Sequence, residues 1–232
     1  MQRILNTLYI TEYRSHVRAQ KGNLVVSRPD GKARVPIESI EAVVLFGGQI
    51  TTEAIDLCVS RSVRVAALRR SGRVRFTISG PPTGNVYLRV AQLRAADDAD
   101  TALELARMFV AGKLQSYRVL LARWGAEARE PERTVMRVAR EVVAERISAL
   151  PLARDGDTVR GLEGDATRRY FKGLCAHLAG RTDVGPFLTR SRRPPRDPVN
   201  ALLSFLYGVI QAEVDGALHS CLLYTSPSPR DS

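Results

Sequence analysis

The chain has 232 residues, 44% of them hydrophobic, which is enough for one large domain or two modest ones with a real core. A net charge of +11 and an isoelectric point near 10.2 favour a polyanionic partner, nucleic acid first, because each phosphate contacted releases condensed counterions. No uninterrupted apolar run of about 18 residues occurs and no apolar signal core follows Met1, which argues against a membrane span and against secretion and points to the cytoplasm. Cys58, Cys175 and Cys221 are far apart and lack C-x-x-C spacing, so the sequence suggests neither a disulfide framework nor a zinc site. The positive charge is uneven: residues 1–90 carry 14 Lys+Arg against 6 Asp+Glu.

The first third reads as short strands. Ile4 to Ile10, Asn23 to Ser27, Ala33 to Ile37 and Ile40 to Phe46 are β-branched or alternating runs, and Arg28-Pro29-Asp30-Gly31 supplies a turn between two of them. Gly47-Gly48 is not followed by a Lys-Ser/Thr pair and is a turn, not a nucleotide loop. Thr51 or Thr52 can cap a short helix ending at Ser60, and strands are expected over Val63 to Leu68 and Arg73 to Ile78, joined at Ser71-Gly72. The cluster Gly80-Pro81-Pro82-Thr83-Gly84-Asn85 then breaks every regular pattern.

From Val86 the apolar period becomes helical. Leu93, Leu103, Leu105, Ala106, Phe109, Val110, Leu114, Tyr117, Leu120 and Leu121 recur at helical spacing, as do Val135, Val138, Val142, Val143 and Ile147 after Pro131. A loop is expected at Pro151 to Thr158, then a helix over Leu162 to Leu178. Asp197 as N-cap with Pro198 at the first helical position starts a last helix over Val199 to Leu218. The expectation is therefore an α+β chain, with a β-rich domain over 1–85 and a helical domain over 86–220. The tail 221–232 does not continue the helix pattern and reads as appended, non-native sequence.

Two stretches could carry chemistry. On a helix over Leu162 to Leu178, Glu163, Thr167, Tyr170 and Leu174 share a face, so a carboxylate is held by an aromatic body below it. Such a carboxylate can ligate a hard cation, or it can simply offset the positive end of the helix dipole. Asp155, Asp157 and Asp165 read as solvated loop residues. The second stretch, Arg190 to Asn200, sets Arg190, Arg192, Arg193 and Arg196 on a proline-stiffened loop ahead of a helix N-terminus. That is either a phosphate clamp or a solvated charge run. His16, in an early loop, His177 and His219 show no ligand or triad spacing.

Arg160-Gly161-Leu162-Glu163-Gly164 with Tyr170-Phe171, followed by Arg192-Arg193-Pro194-Pro195-Arg196-Asp197-Pro198-Val199-Asn200-Ala201-Leu202-Leu203-Ser204, resembles the endonuclease and integrase family that is the first of the CRISPR-associated proteins. Leu5-Asn6-Thr7-Leu8-Tyr9-Ile10, Gly84-Asn85-Val86 with Arg89 and Gln92, and Ala111-Gly112-Lys113-Leu114 extend the likeness to about residue 218, most like the type I, subtype C branch. The resemblance implies a β-rich domain joined to an all-helical catalytic domain, and a phosphoryl-transfer reaction that inserts spacers into a repeat array. It also implies Mg²⁺ or Mn²⁺ held by a glutamate, a histidine and a second acid. Glu163 matches the glutamate. The histidine and the acid would lie beyond the point where the pattern stops, so a C-terminal truncation and an impaired enzyme are expected. Arg190, Arg192, Arg193, Arg196 and Asn200 are read as DNA-contacting. Double-stranded DNA (prespacer and repeat array), a second copy of the chain in a homodimer and the second CRISPR-associated protein are the implied partners; no membrane is implied. The rival from another class is a non-catalytic DNA-binding or assembly protein. A metal-independent hydrolase pairing Glu163 with Asp157 or Asp165 would need two carboxylates facing one cleft, which nothing in the sequence requires.

Overall fold

A computed structural model describes residues 2–4, 6–80, 86–179 and 185–220. Residues 81–85 of the Pro/Gly cluster, the tail 221–232 and the side chain of His219 lie outside these described residues. Two compact units result: Met1–Arg89 together with the chain from Ala201 onward, and Val90–Asn200.

The first unit is built from strands β1 (Gln2–Ile4), β2 (Thr7–Ile10), β3 (His16–Gln20), β4 (Asn23–Arg28), β5 (Gly31–Pro36), β6 (Ala42–Leu45), β7 (Gln49–Ile50), β8 (Arg64–Leu68) and β9 (Val74–Ile78), with helix α1 (Thr52–Ser60) between β7 and β8. Five of them form a sheet in the order β1-β2-β6-β8-β9, the other four a sheet in the order β5-β4-β3-β7. The run expected as one strand over Ile4 to Ile10 is instead an antiparallel hairpin, with Gln2 opposite Tyr9 and Ile4 opposite Thr7. His16 belongs to a strand and not to a loop, since β3 pairs with β4 from His16 opposite Ser27 to Gln20 opposite Asn23.

The period of two sorts the side chains. Leu8, Ile10, Val17, Leu24, Val26, Val43, Leu45 and Val65 come from both sheets and share one core with Ala54 and Cys58 of α1. Burying each Val or Leu of this kind contributes about 1.5–3 kcal/mol relative to exposure. Val44, Ala66 and Leu68 point the other way, against Ala212 of the last helix, α6 (Pro198–Ser220).

That contact explains a difference from the sequence reading, in which the last helix sits with the helical domain and the boundary follows residue 85. From Ala201 onward the chain groups with the strands instead. Gly208 and Gly72 let the two backbones meet, because a Cβ on Gly208 would collide with the carbonyl oxygen of Gly72. Arg64 of β8 reaches the carbonyl oxygen of Ala212 and the carboxylate of Glu213, which also accepts a 3.0 Å hydrogen bond from the Tyr9 hydroxyl. Burial, followed by the Glu213 carboxylate, pushes the Tyr9 phenol up to about 12.

The second unit contains most of α2 (Val86–Asp97) and all of α3 (Ala99–Glu127), α4 (Glu132–Ala149) and α5 (Gly156–Leu178). Leu114, Tyr117 and Leu121 of α3, Met136, Ala139 and Val143 of α4, and Val159 and Ala166 of α5 form its core. Gly173 admits α3 closely, since a Cβ there would overlap the Leu121 side chain. Long amphipathic helices after a strand-rich start confirm the α+β class.

Candidate active site

Asp155 caps α5, its Oδ1 accepting a 2.7 Å hydrogen bond from the Thr158 N–H, so the helix starts at Gly156 and not near Leu162. Glu163 therefore lies two turns inside the helix, beyond the reach of the first-turn dipole effect. The reading of this residue as a dipole offset is set aside by that placement. The neighbouring acids are occupied elsewhere: Asp157 pairs with Arg160, and Asp165 with Arg146 at 2.9 Å. Asp165 is on the helix and three-quarters buried, not a solvated loop residue.

The Glu163 carboxylate is 29% exposed. Its Oε1 accepts a 3.0 Å hydrogen bond from the Thr167 hydroxyl one turn on and another from the Lys113 ammonium of α3. Lys113 in turn lies 5.4 Å over the ring of Tyr117, which stacks on Tyr170 with centroids 3.9 Å apart. The Tyr117–Tyr170 stack thus seats the lysine that holds Glu163. Burial pushes the Glu163 carboxyl up, but Lys113, Thr167 and the charge of Arg192 outweigh it and hold the group below the ordinary glutamate range. Burial likewise pulls the Lys113 ammonium down, and Glu163 together with Tyr117 more than restores it. Both directions describe a charged pair.

Before α6 the basic loop has a buried organiser. Asn200 is fully buried. Its Oδ1 accepts from the Ser191 N–H at 2.8 Å and from Arg190 Nη1 at 2.9 Å, while its Nδ2 donates to the Thr189 carbonyl at 2.8 Å. Asp197 caps α6 as expected, accepting from the Asn200 N–H at 2.8 Å. The Asn200 amide, expected to contact DNA, is buried with its oxygen and nitrogen both engaged inside the loop, and the half-buried Arg190 guanidinium lies against it. Arg192, Arg193 and Arg196 are exposed. Arg192 is close enough to Glu163 for its charge to act on the carboxylate.

The family model described as CRISPR associated protein Cas1 matches residues 8–226. The chain belongs to the Cas1 family. It is 37% identical over 228 residues to a protein of Chlorobaculum tepidum named CRISPR-associated endonuclease Cas1 1, covering 95% of this chain and 65% of that relative. Solved structures share the fold: the Cas6-RT-Cas1–Cas2 complex at a TM-score of 0.74 with 24% identity, covering 95% of this chain and 24% of that one. A casposase bound to its integration product follows at 0.71 with 18% identity, covering 96% of this chain and 66% of that one.

Within the family frame, the residues present do not by themselves fit a divalent cation. Among the described residues no group of three or more His, Cys, Asp or Glu side chains converges, and Glu163 is the single carboxylate at its position, already held by an ammonium. A hard cation needs several oxygen ligands more. His177 stacks on Trp124 with centroids 4.7 Å apart, and His16 lies at the head of β3. Sequence reasoning missed Lys113 as a site residue, because fifty positions separate it from Glu163 and only the packing of α3 on α5 joins them. It also missed an open cleft of about 1010 Å³ in the strand-rich unit, lined by Tyr13, Arg69, Arg70 and Arg75 among others, in which Arg70 lies 4.6 Å over the Tyr13 ring.

Proposed function

We propose that this chain is the DNA-engaging part of a spacer-inserting endonuclease and integrase, acting in the cytoplasm by phosphoryl transfer, with Glu163 as the one ligand it contributes to a Mg²⁺ or Mn²⁺ site. The single observation that carries the reading is the half-buried Glu163 carboxylate, held by Lys113 and Thr167 and acted on by the charge of the exposed Arg192. In such a reaction a 3′-hydroxyl or a water would attack a phosphodiester and displace one of its bridging oxygens, and a divalent cation, with Glu163 as one of its ligands, would supply Lewis-acid charge. This chain's own share is positioning. Arg192, Arg193 and Arg196 hold phosphates on a loop that Asn200 keeps in shape, and Glu163 presents a fixed anion beside them. The relatives named endonuclease, the casposase with its integration product and the complex named for Cas1 and Cas2 support the reaction class and a Cas2 partner. Double-stranded DNA and a homodimer complete the proposed assembly, and the subtype C branch remains the proposed affiliation.

A second reading, a non-catalytic DNA-binding or assembly protein, is favoured because no further His, Cys, Asp or Glu joins Glu163 in a metal-holding group among the described residues. We therefore expect salt-sensitive DNA binding by the 232-residue chain without robust Mn²⁺-dependent nicking. A chimera carrying the further length of the Chlorobaculum relative tests the enzyme reading. Nicking by the chimera should fall by about 10²-fold or more on Glu163→Ala, with DNA binding retained. Nicking that survives the substitution, or robust nicking by the chain alone, overturns the proposal.

A further inference from the structure

The lysine on Glu163 invites a role of its own. A bare carboxylate repels any phosphodiester that comes within a Debye length of it. Lys113 offsets that repulsion: its ammonium contacts Glu163 Oε1, it is seated over the Tyr117 ring, and it comes from a different helix from the carboxylate it neutralises. Lys113 retains 40% side-chain exposure, so the pair faces the solvent from which DNA would arrive.

We propose that Lys113 is a built-in counter-ion that takes the place of a metal charge on Glu163, and so lets a DNA phosphate settle beside the carboxylate before any divalent cation is bound. The proposal rests on the DNA-engaging reading given above. Lys113 is a positioning residue, acting through Glu163 and not on the phosphate.

Short duplex DNA titrated without divalent cations, at several salt concentrations, into wild type, Lys113→Met, Glu163→Gln and the double variant tests this. Lys113→Met should weaken binding about threefold or more at low salt, since it unmasks one negative charge. In the Glu163→Gln background the same substitution should cost little, and Lys113→Arg should restore binding. An equal loss in both backgrounds makes Lys113 an ordinary phosphate contact and overturns the proposal, as does no loss in either. Reductive methylation followed by mass spectrometry reads the pair without DNA. The chain has four lysines, and Lys113 should label more slowly than the exposed Lys21, Lys32 and Lys172, with Glu163→Gln abolishing the protection. If no variant binds DNA, the functional reading falls and the methylation result alone decides the counter-ion: an unprotected Lys113 overturns it.

Discussion

Glu163 and Asn200 are two polar residues of the helical unit, and they are treated in opposite ways. Asn200 is fully buried, with its oxygen and nitrogen both spent on the backbone and side chains of its own loop. Glu163 keeps 29% of its surface and holds partners that are a flexible lysine and a hydroxyl one turn away. A buried, saturated amide makes shape, and removing it leaves several donors and acceptors without partners. A part-exposed carboxylate balanced by a solvent-facing lysine stabilises little. The contrast teaches that a polar residue within a family motif can belong to its scaffold.

Substitutions can break that contrast, and the largest effect belongs to the scaffold. Asn200→Ala should destabilise the chain by about 2–4 kcal/mol, read as a lower urea midpoint, because the Thr189 carbonyl and the Ser191 N–H lose a buried partner and Arg190 loses one of its acceptors. An effect below about 0.5 kcal/mol would place Asn200 with the surface residues. Next comes Asp197→Ala, which removes the cap of α6 and should cost about 1 kcal/mol. Glu163→Gln should cost about 0.5 kcal/mol or less at neutral pH, since the pair is partly exposed and screened by solvent.

The pH dependence of that small term has a definite sign. Folding depresses the Glu163 carboxyl below its ordinary 4.5, so its contribution is complete above that value and is lost as pH falls through the lower, folded value. The difference in urea midpoint between wild type and Glu163→Gln should therefore shrink on acidification. A difference that grows would mean that burial, not Lys113, governs the carboxyl.

Much of the fold was legible because its signals are local. Asp197-Pro198 announces a helix start through one side-chain acceptor and one fixed φ, and α6 begins there. The alternation through Val43, Val44 and Leu45 announces a strand, and those residues do face opposite sides. Strand β3 was missed because His16, Arg18 and Gln20 are polar and only pairing with β4 fixes them as extended. The start of α5 was placed too late because Gly156 and Gly161 imitate a loop, while packing of Val159 and Ala166 into the core overrides their low helix propensity. At the site, Glu163 and Thr167 were legible as a helical i,i+4 pair. Lys113 was not, since no spacing rule links helices fifty residues apart, and the inward turn of Arg190 depends on a buried amide that sequence cannot show.

The central claim is that the exposed arginines of the loop, beside an ionised Glu163, form a nucleic-acid interface. Its most direct test is the salt dependence of duplex DNA binding by wild type and by Arg192→Ala/Arg193→Ala/Arg196→Ala. With three phosphate contacts removed, the slope of log Kobs against log salt should become shallower by roughly 2.7, at the ~0.9 per phosphate expected for duplex DNA, while the urea midpoint stays put. An unchanged slope would contradict the claim.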